Sequence, residues 1–501
     1  MDALNLLDRL LPGLLLGVPG LGSVVTAALG RSKLRARAAA LGFAVVNFLL
    51  SLVVWARFDP SRGDYQLILS HEWIPSLGVS FLLGVDGISL FLVVMTALLV
   101  PVTFVALWKS PQMESASYLA LLLLLEASLL GVFLALDLFL FFAFWVTTVV
   151  VMALLIESGR SERPTPVGSR FTLSTTAGSM LMLVVLLVGY HTQWVQTGAP
   201  SFDLRHWQDL VLFPDAEGRL FVALLLALAI HVPLFPLLGC LPEAQAKTPT
   251  AATVLLVGVF LKMGPYAVLR LALPLFPRVA ETWAPAIMIL AVLGILCGAL
   301  RAWKESDLRK VLAGSSVSHM SLVILGVFSL QTSGVRGAVF HMLSHGLFMS
   351  MLLIMAGAVH EDAASDRTVE LGGLRRAMPR LAAVFPAAAA ASVGMPGLNG
   401  FIGFFLVLKG SLVASPWIAV AALLAILLAA ASMLRLNIRM MGSEPLRGDH
   451  PQPTDLDRRE TLVLVSLVLV LLAMGIVPGI WLGAMDGSVE KLLAPFTAGA
   501  G

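Results

Sequence analysis

The chain has 501 residues, 58% of them hydrophobic and 13% charged, with a formal net charge of +3. A soluble domain carries roughly 25% charged residues, so the composition excludes an ordinary soluble enzyme, and so small a net charge points to no nucleic-acid partner. Apolar runs of about 20 residues recur from end to end, the length a helix needs to cross a bilayer; the expected fold class is an all-α polytopic membrane protein.

The runs predict about fourteen transmembrane helices, near 9–29, 36–56, 84–108, 116–135, 138–156, 170–190, 219–240, 250–272, 283–300, 309–329, 335–358, 380–413 (interrupted), 415–440 and 460–485. The first stretch holds Asp2 and Asp8 and lacks a cleavage pattern, so it is expected to be retained as span one. Basic clusters at Arg31/Lys33/Arg35/Arg37, Arg160/Arg163/Arg170, Arg301/Lys304/Arg309/Lys310 and Arg375/Arg376/Arg380 fall on one side of the bilayer when the spans are counted off. That side is read as the cytoplasm, which places both termini outside, on the periplasmic side of the cell membrane.

Along the chain, Asp86 in "LLGVDGISLFL" looks like a helix start, and Asp137 in "FLALDLFLFF" suits either a helix cap or a pathway carboxylate. Glu126 in "LLLLLEASLLGVF" lies deep in span four without a basic neighbour in its own helix. An ionisable group at the bilayer centre costs at least about 2.5–3.5 kcal/mol, so Glu126 is read as an ion-pathway carboxylate. Span seven carries "AIHVPLFPLLG", where His231 precedes Pro233 and Pro236. Proline removes a helix hydrogen bond and crowds the preceding turn, so this span is expected to be broken. Cys240 and Cys297 stand apart without CxxC or a His/Cys cluster, so they offer no disulfide framework, iron–sulfur site or zinc site; no G-x-G-x-x-G follows a strand pattern either.

Lys262 in "TVLLVGVFLKMGPYAVLR" lies twelve residues after Thr250, roughly 18 Å along a helix, beyond snorkelling reach. His319 ("GSSVSHMSLVILG") and His345 ("FHMLSHGLFMSM") follow on consecutive spans among small residues that let helices approach closely. Imidazoles titrate near neutral pH and suit proton transfer. Lys262, His231, His319 and His345 are therefore expected to form a relay, in which His341 either substitutes for His345 or packs. A second interruption falls at Pro396, Gly397 and Gly400 in "VGMPGLNGFIGFFLVLKG". Irregular backbone at membrane depth survives only against protein or a wet cavity. The two breaks are each the fourth of a five-span unit, spans four to eight and nine to thirteen. Because five is odd, the units are expected to be inverted repeats.

Several stretches together resemble the antiporter-like membrane subunits of respiratory complex I: "LPEAQAKTPTAATVLLVGVFLKMGPYAVLR", "DLRKVLAGSSVSHMSLVILGVF", "GAVFHMLSHGL" and "VGMPGLNGFIGFFLVLKG", with "LLGVDGISLFLV" and "EASLLGVFLALDLFLFF" upstream. The resemblance runs in collinear order over about residues 75–440. It is nearest to the chain M (mitochondrial subunit 4) type, without the long lateral helix of the chain L type. It implies a proton-translocating module whose redox chemistry is elsewhere: no cofactor in this chain, with NADH, FMN, iron–sulfur clusters and quinone in partner subunits. The implied partners are membrane subunits of the chain L and chain N types, lipid and protons. Lys262, His319 and His345 fall on the family's central lysine and two histidines, and Glu126 on a span-four carboxylate.

Departures are as informative. The family's span-five "FFE" reads "FFAFWV", with Trp145 at the glutamate; its span-seven lysine is His231. "GFVGEF" reads "GFIGFF", with Phe404 at the acid, and "HTWLPDAH" reads "LGCLPEAQ". Trp145 can stack on His231 but cannot hold a proton. The expected organisation is 1–115 for helices one to three, 116–272 and 283–440 for the two repeats, and 441–501 for a loop and helix fourteen. Three functions stay open: a coupled complex I-type subunit, a non-pumping structural paralogue, or a subunit of a related cation/proton antiporter, membrane-bound hydrogenase or inorganic-carbon uptake complex.

Overall fold

The computed structural model describes residues 2–158, 167–207, 210, 214–237, 241–363, 373–442 and 454–497. In chain order the elements are α1 (Asp2–Ala28), α2 (Lys33–Arg57), β1 (Gln66–Ile74), β2 (Val79–Val85), α3 (Leu90–Ala106), α4 (Ala116–Leu134), α5 (Leu138–Glu157) and α6 (Val167–Thr197). Then come α7a (Pro214–His231), α7b (Leu241–Lys247) and the continuous α8 (Thr250–Leu275). They are followed by α9 (Pro277–Lys304), α10 (Leu308–Phe328), α11 (Thr332–Ala363), α12a (Pro379–Val393), α12b (Asn399–Ala414), α13 (Pro416–Met441), α14 (Arg458–Ile476) and α15 (Gly479–Thr497).

Among the described residues, 11 helices are long and apolar enough to cross a membrane; α3, α12a and α12b are apolar but shorter. Helix α7a carries Asp215, Glu217 and Arg219 near its start. The expected total of about fourteen spans is therefore reached only by adding α3 and the two broken helices. Both expected breaks are present. Helix α7a ends at His231, just before Pro233, and the Phe235–Pro236 peptide is cis. Helix α12a ends at Val393 with Gly394 in the left-handed conformation (φ 79°), and α12b restarts at Asn399. Cys240, Arg160 and Arg163 lie outside the described residues; Cys297 is half-buried on α9 and forms no disulfide.

Three sequence expectations are corrected. Residues 66–85 form an antiparallel hairpin (Glu72 opposite Ser80), so the fold is all-α apart from this element. Span three consequently starts at Leu90, not near 84. A short apolar run such as Val79–Val85 cannot be told from a buried helix segment by periodicity; here the β2 edge is claimed by the α4–α5 turn, where the Ser80 N–H donates to Asp137 at 2.9 Å. The same carboxylate accepts from the Phe139 and Leu140 N–H groups, so Asp137 is the N-cap of α5. The third correction is the C-terminal end: α14 stops at Ile476 before Pro478, and α15 runs back against the segment that leads from α2 into the hairpin, with Lys491 2.5 Å from Asp64.

Burial separates the helices by role. The apolar windows of α8 and α10 are 100% buried and that of α11 94%, against 28% for α2 and α14. Large apolar side chains such as Leu173, Trp417 and Leu462 face outward, as expected where lipid or another apolar subunit is the surroundings. Lys262, His319 and His345 thus sit on the three most buried helices. Helices α8 and α11 approach closely: a Cβ on Gly346 would lie 2.8 Å from the Gly258 carbonyl oxygen.

At the hairpin end of α8, the buried guanidinium of Arg270 pairs with Asp86 and lies over the rings of Tyr65 (5.3 Å) and Tyr266 (5.0 Å). Asp86 also accepts from the Ile88 and Ser89 N–H groups, joining the expected helix start to a buried ion pair. Removing one partner of such a pair leaves an uncompensated charge and costs about 3–5 kcal/mol. Asp86→Ala is expected to lower thermal stability by that amount, read as loss of the folded protein on heating in detergent. A variant as stable as the parent would show that the pair does not hold the hairpin to α8.

Candidate functional site

Helix α8 is not a uniform α-helix. Residues 256–260 and 268–272 are π-helical turns on either side of Lys262. Such turns widen a helix and disturb its regular ladder, and they are frequent at functional sites. Lys262 is fully buried, and its Nζ donates to the carbonyl of Val257 one turn back. It also meets Nδ1 of His345 on α11 at 2.8 Å. The ammonium is thus held by a carbonyl and an imidazole, not by a carboxylate. The close approach of Gly258 and Gly346 sets that distance.

From His345 the groups continue across α10. The His345 and His319 rings are 5.3 Å apart between centroids, without a direct hydrogen bond. His319 Nδ1 lies 3.0 Å from His341 Nε2, so one ring donates and the other accepts according to tautomer. Phe404 of α12b closes this end, 5.6 Å from the His319 ring and 4.8 Å from that of His341. The structure therefore brings together three of the expected residues, Lys262, His345 and His319, and adds His341 as a partner of His319, not a substitute for His345.

The other two expected residues stand apart. His231 is buried at the end of α7a; its Nδ1 donates to the Ala227 carbonyl at 3.1 Å. Trp145, which the sequence allowed to stack on His231, instead packs edge-on against it with centroids 4.7 Å apart. Trp145 Nε1 donates to Ser179 Oγ at 3.2 Å. Beyond the break, a cavity of about 10 Å³ is lined by Pro233, Gln245, Leu256 and Ser316 among others. That volume is about what one water needs. Glu126 is fully buried on α4, and its Oε1 accepts from Asn47 Nδ2 of α2 at 2.6 Å. It is bonded to an amide, not to the lysine.

Sequence reasoning did not single out Asn47 or Arg270. Asn47 has no local signal, because its partner is 79 residues away in sequence. Arg270 was hidden by its place near the end of a span, where arginines ordinarily snorkel. Among the described residues, no group of three or more His, Cys, Asp and Glu side chains is placed to hold a metal ion.

Residues 135–429 match the family described as NADH:quinone oxidoreductase/Mrp antiporter, TM. The chain is 35% identical to NADH-quinone oxidoreductase subunit M of Rhodobacter capsulatus, over 92% of this chain and 91% of that protein. It is 33% identical to NADH-ubiquinone oxidoreductase chain 4 of Arabidopsis thaliana, over 96% and 97%. Its fold superposes on a chain of respiratory complex I from Thermus thermophilus with a TM-score of 0.84 at 30% identity, covering 98% of this chain and 99% of that one. By match length, identity and coverage, the chain belongs to the NADH:quinone oxidoreductase/Mrp antiporter family of membrane subunits.

Proposed function

We propose that this chain is a membrane-arm subunit of a complex I-type NADH:quinone oxidoreductase and takes part in proton translocation coupled to electron transport. The observation that carries the reading is the hydrogen bond between Lys262 and His345 in the helices most shielded from lipid. An amine and an imidazole bonded to each other share one proton between two basic nitrogens. A change of field nearby then moves it from Nζ to Nδ1 without separating a new pair of charges. His319, whose ring packs against that of His345 with centroids 5.3 Å apart, is the next base in the line.

Glu126 and His231 are proposed as outlying members, Glu126 with Asn47 and His231 at the break of α7. On this reading both termini face the periplasm, spans four to eight and nine to thirteen are inverted repeats within the 116–272 and 283–440 segments, and the neighbours are chain L-like and chain N-like subunits. NADH, FMN, iron–sulfur clusters and quinone belong to other partner subunits, where the redox chemistry takes place. Purification of the native complex tests this: quinone-site and iron–sulfur subunits are expected to copurify with this chain. Isolation with cation/proton antiporter or hydrogenase partners alone would overturn it.

A second reading has a specific observation in its favour. Trp145 and Phe404 are apolar where the family resemblance places acids, and both pack directly on histidines. In that reading the chain is a structural member of the same assembly that does not itself carry protons. Proton translocation by an assembled Lys262→Met variant separates the two.

A further inference from the structure

We propose that His341 is the terminal proton carrier of the buried line, taking a proton from His319 and releasing it toward the break in helix twelve. This rests on the relay reading above and extends it to a named exit. The geometry gives His341 two ends. Its Nε2 is 3.0 Å from His319 Nδ1. Its Nδ1 points at α12b, where a Cβ on Gly403 would lie only 2.6 Å away, and it makes no hydrogen bond to a described protein atom. An imidazole that gains a proton at one nitrogen can lose one from the other, which makes it a through-carrier.

The polar groups beyond His341 lead outward. Ser344, three residues on and thus on the same helix face, donates its Oγ hydrogen to the Phe340 carbonyl and lies 3.3 Å from the Asn399 carbonyl. Asn399 is fully buried and opens α12b. Residues 395–397 are exposed, Met395 at 57%, with the buried Leu398 between them and Asn399. Ser344, Asn399 and the turn at the break thus lie between the buried histidine pair and the exposed residues 395–397. Phe404 packs from His341 to Gly394, so it flanks this route as an apolar wall. The step balances simply. His319 Nδ1–H is given to His341 Nε2, His341 becomes transiently an imidazolium, and its Nδ1–H passes to a water entering at the break.

The test uses the intact complex in proteoliposomes and reads protons translocated per NADH oxidised, with Lys262→Met as the benchmark. His341→Gln keeps a hydrogen-bonding side chain of similar size but cannot carry a proton. It is expected to lose the same share of translocation as Lys262→Met. Adding Phe404→Glu places a carboxylate against both histidines and is expected to restore that share. Gly403→Ala sets a methyl 2.6 Å from Nδ1 and 2.8 Å from Cβ of His341, so it displaces that imidazole without removing it; it is expected to reproduce the loss, even if His341→Gln fails to assemble. Normal translocation in assembled His341→Gln or Gly403→Ala, while Lys262→Met is impaired, overturns this proposal alone. A His341→Gln loss that Phe404→Glu does not restore assigns His341 to packing and also overturns it. Normal translocation in Lys262→Met overturns the relay itself.

Discussion

Lys262→Met is expected to remove this subunit's share of proton translocation while leaving the complex assembled. Methionine conserves the volume of the lysine stem, and volume-conserving changes in a core usually cost less than about 1.5 kcal/mol. Two acceptors lose their donor, the Val257 carbonyl and His345 Nδ1, at about 1–3 kcal/mol each when left unpaired. Against this, a fully buried ammonium with no carboxylate partner is no longer taken out of water, a penalty of several kcal/mol in its own right. The terms offset, so assembly survives. Lys262→Ala adds a cavity, worth a further 2–5 kcal/mol on the scale of large-to-small core changes, and is expected to assemble less well. Function has no such compensation, because methionine has no proton to give to His345. Proton uptake per NADH in proteoliposomes decides the matter. Unchanged pumping in a fully assembled variant would assign Lys262 to structure and make the spacer reading the better one.

The second large effect is expected at the break of helix seven. His231 meets Trp145 at 4.7 Å and is also near the Phe260 ring, at 6.3 Å. His231→Lys would bury an ammonium among aromatic rings with no acid in reach among the described residues, at a cost of about 3–5 kcal/mol; a cation–π contact returns at most about 2 kcal/mol of it. An imidazole can reside there uncharged and charge transiently, which is the physical reason for a histidine where no carboxylate is present. Trp145→Glu supplies the missing partner. That change by itself removes a large buried ring, at about 3–5 kcal/mol, and the Trp145 bond to Ser179, although a glutamate can accept from the same hydroxyl. The double variant is therefore not expected to regain the stability of the parent. It is expected to be more stable than the sum of the single changes by several kcal/mol, the signature of a coupled pair in a double-mutant cycle. The readouts are thermal unfolding of the assembled complex and proton translocation. Strict additivity would mean that the two positions do not form a pair. Single variants indistinguishable from the parent would mark the site as inert packing.

Composition and run length by themselves determined the membrane fold, because roughly 20 consecutive apolar residues have one stable solution in lipid, a helix with its backbone bonds satisfied internally. The two breaks were legible for the same reason in reverse: Pro233, Pro236, Pro396 and Gly397 cannot continue an apolar helix without a local consequence. Single buried charges such as Lys262 were also legible, since the desolvation penalty makes any ionisable group in an apolar run conspicuous. What the sequence could not decide was which of these groups meet. Lys262 and His345 are 83 residues apart, Asn47 and Glu126 79, and Arg270 and Asp86 184. Such pairings are fixed by the rotation and depth of packed helices, which periodicity does not encode. The tertiary structure alone joined His341 to His319, set Glu126 on an amide, and left His231 out of line with the other bases. It also decided the hairpin at 66–85, where an apolar segment became a strand because the α4–α5 turn offered hydrogen bonds that a helix there would not have used.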